Sequence, residues 1–329
     1  MKKMFVMLGV SLVVAIGFCG CDNEAEARAK WVAEAKAKDE AKARAKAKAK
    51  AEAEARAKAE AEARAKVEAK AIEEGKRIVK EEPEKTITIA DGVSLTMIGV
   101  EPGIFRMGSE TKFWVGYGYG EKEYLVHQVT LTKPYYLGKT EVTQAQWRAV
   151  MGNNPSPIKG DSRPVEYVNW HDAMAFCKKL NDQGRAPKGW KFTLPTEAQW
   201  EYAARGGNKS KGYTYSGSDD STEVAWYGYG DYATSMPNDV GAKKPNELGL
   251  YDMSGNLYEW CLDWYEDYGK GAVTDPQGPQ SGSDRVQRGG CWFNRADVCH
   301  VAYRSRSNPD LRGVRGSGYG FRLALVPVQ

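Results

Sequence analysis

The chain has 329 residues, with 47 Lys and Arg against 43 Asp and Glu and a formal net charge of +4. The excess lies entirely in the first 82 residues, because residues 83–329 hold 28 basic and 28 acidic groups. A neutral domain of this length excludes the usual nucleic-acid binders, which rely on a basic surface, and it can build a hydrophobic core without disulfides. Nearly all of the 10 Trp and 18 Tyr lie in it, so we expect a loop-rich α+β domain rather than a helix bundle.

Residues 1–21 have the pattern of a secretory signal. A basic start, an apolar run and small residues lead to Cys21. A run of about 15 apolar residues is too short to span a bilayer comfortably, which favours a cleaved signal over a membrane helix. Gly20-Cys21 resembles the end of a bacterial lipobox, so we expect Cys21 to be lipidated and to become the mature N-terminus. A soluble secreted protein and a plain hydrophobic anchor are the alternatives.

Residues 22–83 form a low-complexity segment in which Ala alternates with Lys, Arg and Glu. Ala and Lys are strong helix formers and poor strand residues, so the composition favours a long polar helix. Apolar residues at heptad spacing are absent, which argues against a coiled coil. Fifty helical residues would reach roughly 75 Å, enough for a semi-rigid stalk between membrane and head. A disordered linker is the alternative and would serve the same role.

The head, residues 84–329, opens with strand patterns. Residues 86–89 and 95–100 alternate as short strands around the Asp91-Gly92 turn, and residues 102–109 form a further strand.

Capping patterns predict three helices in the head. Thr143 opens the first, over about 144–151, and Asn169 starts the second, which runs to about Leu180. Thr196 opens the third, which Gly206-Gly207 closes. From there onward the chain is rich in Gly, Asp, Ser and aromatic residues, which predicts long loops pinned by short strands.

Seven blocks of the head resemble one known family in their order along the chain. The blocks are Met97–Ser109, Tyr136–Thr143, Arg163–Trp170, Leu194–Ala203, Asn246–Trp260, Arg288–Gly290 and Gly320–Arg322. Together they resemble the sulfatase-modifying-factor, or formylglycine-generating-enzyme, domain over about residues 95–325. The resemblance implies a single α+β domain of C-type-lectin-like fold, low in regular structure, that often binds calcium.

In the enzymes of this family, two cysteines five residues apart bind copper(I) and oxidise a substrate cysteine with oxygen. Soft thiolates favour copper(I), whereas an amide is a hard, weak ligand. Cys299 matches the second cysteine, but Asn294 stands at the first. Cys291 is a poor substitute, because a displacement of three residues along a strand changes its face. We therefore expect no copper site, and Cys299 is the candidate catalytic residue only if the domain is an enzyme.

The remaining thiols allow two interpretations. Cys291 or Cys261 forms a disulfide with Cys299 outside the reducing cytoplasm, or the thiols are simply packed. Cys177 lies in a helical pattern and is expected in the core.

The pattern Asp252-x-x-Gly255-x-Leu257-x-Glu259 places two carboxylates and two backbone carbonyls on one tight loop. Oxygen donors of this kind suit calcium, and the resemblance implies the same four positions as a calcium site. Ordinary hydrogen bonding within the loop is the alternative. We expect calcium at Asp252, Gly255, Leu257 and Glu259.

The stretch from Cys291 to Tyr319 mixes aromatic and Arg side chains with small polar ones. Such a composition joins large contact area to adaptable hydrogen bonding, as in binding hot spots and recognition loops. It also resembles the variable region of retroelement-diversified lipoproteins, in which a lectin-like scaffold displays a ligand-binding face. An ordinary polar loop surface is the alternative. The residues expected to bind ligand are Trp292, Phe293, Asn294, Arg295, Asp297, His300, Tyr303, Ser305, Ser307, Arg312, Arg315 and Tyr319.

Three functions remain open. The first is a binding module, lipid-anchored in the bacterial cell envelope at the outer surface or in the periplasm, which binds a protein or other surface ligand through residues 292–319. The second is an oxidase that converts a cysteine of a sulfatase-type peptide to formylglycine. The third is a purely structural envelope role. Because Asn294 removes a thiolate from the copper pair, we expect binding rather than catalysis.

Overall fold

The computed structural model describes residues 21–114, 121–228, 236–311 and 318–328. The signal segment before Cys21 and two expected binding residues, Arg312 and Arg315, lie outside these ranges, and lipidation of Cys21 stays a prediction. Within the described ranges, no helix has the length and apolar character needed to cross a membrane.

The Ala-rich segment is one uninterrupted helix, α1 (Cys21–Glu81), so the structure decides for the helix over the disordered linker. Exposed pairs such as Arg56–Glu60, at 2.8 Å, lie along it. Each such pair contributes only about 0.3–0.5 kcal/mol, so the helix depends mainly on the propensity of its Ala, Lys and Glu residues. The chain divides into two compact units between residues 65 and 66, and the last turns of α1 belong to the second unit.

Residues 66–81 of α1 pack against the head through two close approaches. A Cβ on Gly75 would lie 2.6 Å from Pro102 Cγ and 2.8 Å from Pro134 Cδ. Val79 is buried, and a Cβ on Gly99 would lie 2.8 Å from its Cγ1. These glycines therefore allow the helix and the head to come into contact where any side chain would hold them apart.

The head contains twelve described strands, several of them very short. They are β1 (Glu84–Ala90), β2 (Val93–Val100), β3 (Gly103–Trp114), β4 (Glu121–Leu131), β5 (Tyr135–Gly138), β6 (Trp190–Thr193), β7 (Tyr258–Trp264), β8 (Val273–Thr274), β9 (Arg285–Arg288), β10 (Arg304–Ser307), β11 (Tyr319–Gly320) and β12 (Ala324–Pro327). They form a five-stranded sheet β1-β2-β5-β12-β6, a four-stranded sheet β10-β9-β7-β11 and a three-stranded sheet β3-β4-β8. Pairing is antiparallel except for β7 with β11 and β4 with β8. The mixed α+β class with short strands is confirmed.

The three predicted helices are present, as α2 (Gln144–Met151), α3 (Trp170–Asp182) and α4 (Glu197–Ala204), beside a short helix, α5 (Ser221–Val224). Thr143, Asn169 and Thr196 each cap one of them, and a side chain three residues later returns the hydrogen bond to the cap. These reciprocal bonds satisfy two otherwise unpaired backbone donors at each helix start. Local capping chemistry thus fixes the helix starts.

The largest core cluster lies between α2, α3 and the five-stranded sheet. Trp147 stacks on Phe176 with ring centroids 5.5 Å apart, and Phe321 meets both rings edge-on. A second cluster joins α4 to the three-stranded and four-stranded sheets, with Trp200 fully buried in it. Residues 205–228 and 236–257 are mostly irregular backbone, and the second of these stretches ends in the site described below.

We predict that Gly75→Ala destabilises the protein. An Ala in a helix interior is normally more stable than Gly by about 0.5–1 kcal/mol. Here the added methyl group would overlap Pro102 and Pro134, and overpacking of this kind costs about 1–3 kcal/mol. The free energy of unfolding, measured by urea denaturation, should therefore fall. Ala69→Gly at an exposed position of the same helix is the control and should show the ordinary helix penalty. A stabilised Gly75→Ala protein would mean that the helix does not pack on the head.

Candidate functional site

Two loops carry most of the expected binding and metal residues, and backbone hydrogen bonds tie them together. Gly255 N donates to Gly289 O at 2.7 Å, and Trp292 N donates to Asn256 O at 2.9 Å. A Cβ on Gly255 would lie only 2.1 Å from Trp226 O, and its φ of +80° is one that side chains disfavour. The loop around Gly255 is therefore fixed, and it holds the start of the C-terminal segment in place.

Asn294 closes a turn. Its Oδ1 accepts from Cys291 N at 2.9 Å, and its own N–H donates to Cys291 O at 2.9 Å. Its carbonyl accepts from Gly228 N at 2.8 Å. The amide oxygen and both backbone groups thus have structural partners, and the residue offers no soft ligand.

The four described cysteines of the head are free and buried, so packed thiols are observed rather than the disulfide. Desolvation raises the pKa of the Cys291 thiol to about 12 and the pKa of the Cys299 thiol well above its ordinary value. A Cβ on Gly290 would lie 2.9 Å from Cys299 Sγ, so this sulfur is tightly covered. Cys177 lies on the buried face of α3, as expected.

The copper pair of the enzymes does not fit these residues. A copper(I) site of that kind needs two accessible thiolates, because the thiolate is the metal ligand. Asn294 supplies an amide committed to Cys291, and Cys299 is a fully buried thiol whose raised pKa disfavours the thiolate.

Trp292 and Tyr303 are buried, at 7% and 6% exposure, which corrects the expectation that they contact a ligand directly. Trp292 packs with Leu257 and Tyr258, and Tyr303 meets Phe113 edge-on with centroids 5.7 Å apart. Burying a large aromatic side chain removes much apolar area from water, so these rings stabilise the domain.

Three of the other expected binding residues pack against these two buried rings or their neighbours. Phe293 and Tyr319 pack on the Trp292 cluster, while His300 meets Phe113 beside Tyr303. The exposures differ along the stretch. Arg295 is exposed, Ser307 is buried, and the residues of intermediate exposure are Phe293, Asn294, Asp297, His300, Ser305 and Tyr319.

Local contacts hold several of these side chains. Arg295 Nε lies 3.4 Å from Asp297 Oδ1, and Ser307 Oγ lies 3.5 Å from Tyr319 Oη. His300 Nδ1 accepts from the backbone N–H of Ala302 at 3.0 Å, and desolvation lowers the pKa of its ring to about 4. His300 is therefore neutral near neutral pH and acts as a structural acceptor. The composition did not reveal Arg306, which is exposed beside Ser305, nor the exposed residues Asn308 and Asp310.

Glu259, one of the expected calcium ligands, forms a buried ion pair with Arg322. Arg322 donates from its Nη2 to Glu259 Oε1 and from its Nε to Glu259 Oε2, both at 2.6 Å. Trp200 Nε1 adds a bond of 2.7 Å to Oε2. Both residues of the ion pair are fully buried. Among the described residues, no group of three His, Cys, Asp or Glu side chains is placed to hold a metal ion. Calcium at Asp252, Gly255, Leu257 and Glu259 stays a prediction, and such an ion would have to share Glu259 with Arg322.

Asp252 and Glu141 add two further buried carboxyl groups near the same guanidinium. Asp252 Oδ2 accepts from Gly241 N at 2.7 Å, and its buried Oδ1 has no hydrogen-bond partner in the described structure. Burial raises the pKa of Asp252 to about 6. Burial, together with the charges of Asp252 and Glu259, raises the pKa of Glu141 well above its ordinary value. Arg322 cannot neutralise three carboxylates, so the cluster favours bound protons.

A second buried ion network was not foreseen from the sequence. Arg304 binds both carboxylate oxygens of Glu197, at 2.6 and 2.7 Å, and Arg288 binds Glu201. A sequence signal was present, because Glu201 stands between Trp200 and Tyr202. A charge in an otherwise buried element requires a partner.

Comparisons with known proteins agree on one family. The model of the sulfatase-modifying factor enzyme 1-like domain matches residues 89–326. The chaperone protein LppX of Paenibacillus barcinonensis is 35% identical over 275 residues, which cover 70% of this chain and 89% of the relative. The formylglycine-generating enzyme of Mus musculus is 32% identical over 213 residues, but the match covers 60% of this chain and only 53% of the enzyme.

The structure of Treponema denticola variable protein 1 is similar as well. It has a TM-score of 0.62 and 36% identity, and the match covers 74% of this chain and 99% of that chain. Both resemblances drawn from the sequence, to formylglycine-generating enzymes and to variable proteins, are confirmed, and so is the predicted fold.

We predict that Trp292→Ala lowers the free energy of unfolding by about 3–5 kcal/mol, because truncating a buried Trp leaves a cavity. Arg295→Ala, at an exposed neighbouring position, should change it by about 0.5 kcal/mol or less. Urea denaturation followed by circular dichroism measures both. Equal stability of the Trp292→Ala and wild-type proteins would contradict the buried placement of the indole.

We also predict that Asp252→Asn flattens the pH dependence of stability. Asp252 is protonated up to about pH 6 in the folded protein, but only below its ordinary pKa of 3.8 when unfolded. The free energy of unfolding therefore falls as pH rises through this window. The Asn variant does not lose stability in this way. The difference between its melting temperature and that of the wild type should therefore shift in favour of the variant as pH rises from about 4 to about 7.5. Asp91→Asn, at an exposed turn, is the control and should follow the wild-type curve. Parallel curves for Asp252→Asn and the wild type would refute the assignment.

Proposed function

The chain belongs to the sulfatase-modifying factor family, and from this premise we propose that it is a cell-envelope lipoprotein whose head binds a ligand and does not oxidise cysteine. The proposed binding face consists of five of the exposed and half-buried residues in the C-terminal segment, residues 292–319. They are Phe293, Arg295, Ser305, Arg306 and Tyr319.

The observation that carries this proposal is the role of Asn294. The family's oxidases need a soft thiolate at this position, whereas here an amide closes a turn on Cys291. Cys299 alone cannot replace the pair, because its thiol is fully buried and its pKa is raised. This head therefore has the family's fold but does not present the pair of thiolates that the oxidases use.

The way the segment is held also supports binding. Trp292 and Tyr303 are buried anchors, while Arg295 and Arg306 project from backbone that is tied to the core. In β10, buried Arg304 binds Glu197, and the next two residues are progressively more exposed. A backbone that is already fixed does not have to be ordered on binding, which lowers the entropic cost and favours affinity.

Two similar proteins support a binding role by their names. One is called a chaperone and the other a variable protein. A chaperone acts by binding another protein, and we extend that class of function to this chain. The likeness to formylglycine-generating enzymes supports the oxidase as the second candidate, and Asn294 weighs against it.

The signal pattern ending at Cys21 and the long α1 support display from the envelope. A lipid on Cys21 would hold the N-terminus at a membrane. The partners proposed are that membrane, through the lipid, and a protein or other surface ligand at the head.

We predict that a photo-crosslinking amino acid at Arg295 or Arg306 forms a specific adduct in the cells that produce the protein. The same amino acid at Asp91, exposed in the turn between β1 and β2, is the control. Tyr319→Ala should reduce the adduct at Arg295 by roughly tenfold, since a hot-spot aromatic contributes about 2 kcal/mol or more. Equal labelling at Arg295, Arg306 and Asp91, or none at the first two, would count against a binding face here.

A further inference from the structure

A pocket of about 290 Å³ lies away from the C-terminal binding face. It lies among the ends of β4, β6 and β12 and the start of α4, and none of its lining residues falls within residues 292–319. Its apolar side includes the half-buried residues Leu262 and Val326, and Lys133 and Lys191 lie on its polar side. The size is near the lower end of that of small-molecule sites, and the mixed lining is typical of them.

The polar groups of this pocket are mainly donors. Neither Lys133 nor Lys191 forms an ion pair within the described part of the chain. Gln199 Oε1 accepts a hydrogen bond from Thr196 N at 3.0 Å. Its side-chain NH₂ group is therefore the part of the amide that can donate to a ligand. Two ammonium groups and an amide donor at the edge of an apolar pocket are complementary to an anion with an apolar body.

The single carboxylate of the lining is already occupied. Asp275 Oδ1 accepts from Thr132 N at 2.8 Å, and Asp275 Oδ2 accepts from the Thr132 hydroxyl at 2.5 Å. Asp275 has a φ of 46°, in the left-handed region, and its own N–H donates to Thr130 O at 2.8 Å. These bonds hold the carboxylate on Thr132. Asp275 keeps its negative charge, but two lysines against one carboxylate leave the lining with a net positive charge.

We propose that this pocket binds a small amphiphilic anion, a molecule with an aromatic or aliphatic body and one carboxylate group. The apolar body lies against Leu262 and Val326, and the carboxylate accepts from Lys133, Lys191 and the Gln199 amide. The site is separate from the proposed binding face, so each can fail without the other.

The test uses isothermal titration calorimetry on the full chain with Cys21→Ser, which removes the lipid-accepting thiol. The probe is 2-naphthoate, and 2-naphthalenemethanol, which has the same ring system and no charge, is the matched control. We expect 2-naphthoate to bind at least roughly tenfold more tightly than the alcohol. The double variant Lys133→Gln with Lys191→Gln should remove that preference, and Lys133→Arg with Lys191→Arg should keep it.

A further control separates a specific site from general charge. Lys188 is exposed and does not line the pocket, so Lys188→Gln should leave the affinity for 2-naphthoate unchanged. Circular dichroism melting curves check that each variant is folded. The proposal is overturned if 2-naphthoate gives no binding heat, if the alcohol binds as tightly, or if Lys188→Gln weakens binding as much as the double Gln variant.

Discussion

The buried ion pair of Arg322 with Glu259 is the interaction on which the loop architecture of the head depends. The guanidinium binds both carboxylate oxygens of Glu259, and it also donates to the carbonyls of Gly138 and Tyr251 at 3.0 and 2.9 Å. One side chain therefore joins the C-terminal strand region to β5, to β7 and to the loop before β7. Removing one partner of such a buried pair costs about 3–5 kcal/mol, because the other charge is left uncompensated. Little regular structure is needed where one cation fixes three segments.

The Arg322–Glu259 pair also fixes the position of the candidate site. With residues 251–259 fixed, Asn256 and Gly255 hold the segment from Gly289 to Asn294 through backbone hydrogen bonds. That segment then places Trp292 in the core and leaves Arg295 in solvent. At Glu259, where calcium was expected, an internal guanidinium holds the loop.

The sequence predicted what local chemistry determines. The three helix starts at Thr143, Asn169 and Thr196 were predictable because each cap bonds to a residue three positions away. The order of the strands in the five-stranded sheet was not predictable. In that sheet β12 lies between β5 and β6, although both are far from it in sequence. Composition predicted that Tyr303 binds ligand with the rest of residues 292–319, but the structure buries its ring. Its burial depends on Phe113, nearly two hundred positions earlier, and no local pattern reports such a contact.

We propose that the head has the fold of a formylglycine-generating enzyme but does not carry out copper-dependent oxidation. The most direct measurement supplies the purified chain with copper(I) in air, adds a sulfatase-type cysteine peptide, and examines the peptide by mass spectrometry for the aldehyde. Since Asn294 is bonded to Cys291 and the Cys299 thiol is buried, we expect no aldehyde from either the wild type or Cys299→Ala. An aldehyde formed by the wild type and absent with Cys299→Ala would contradict the account.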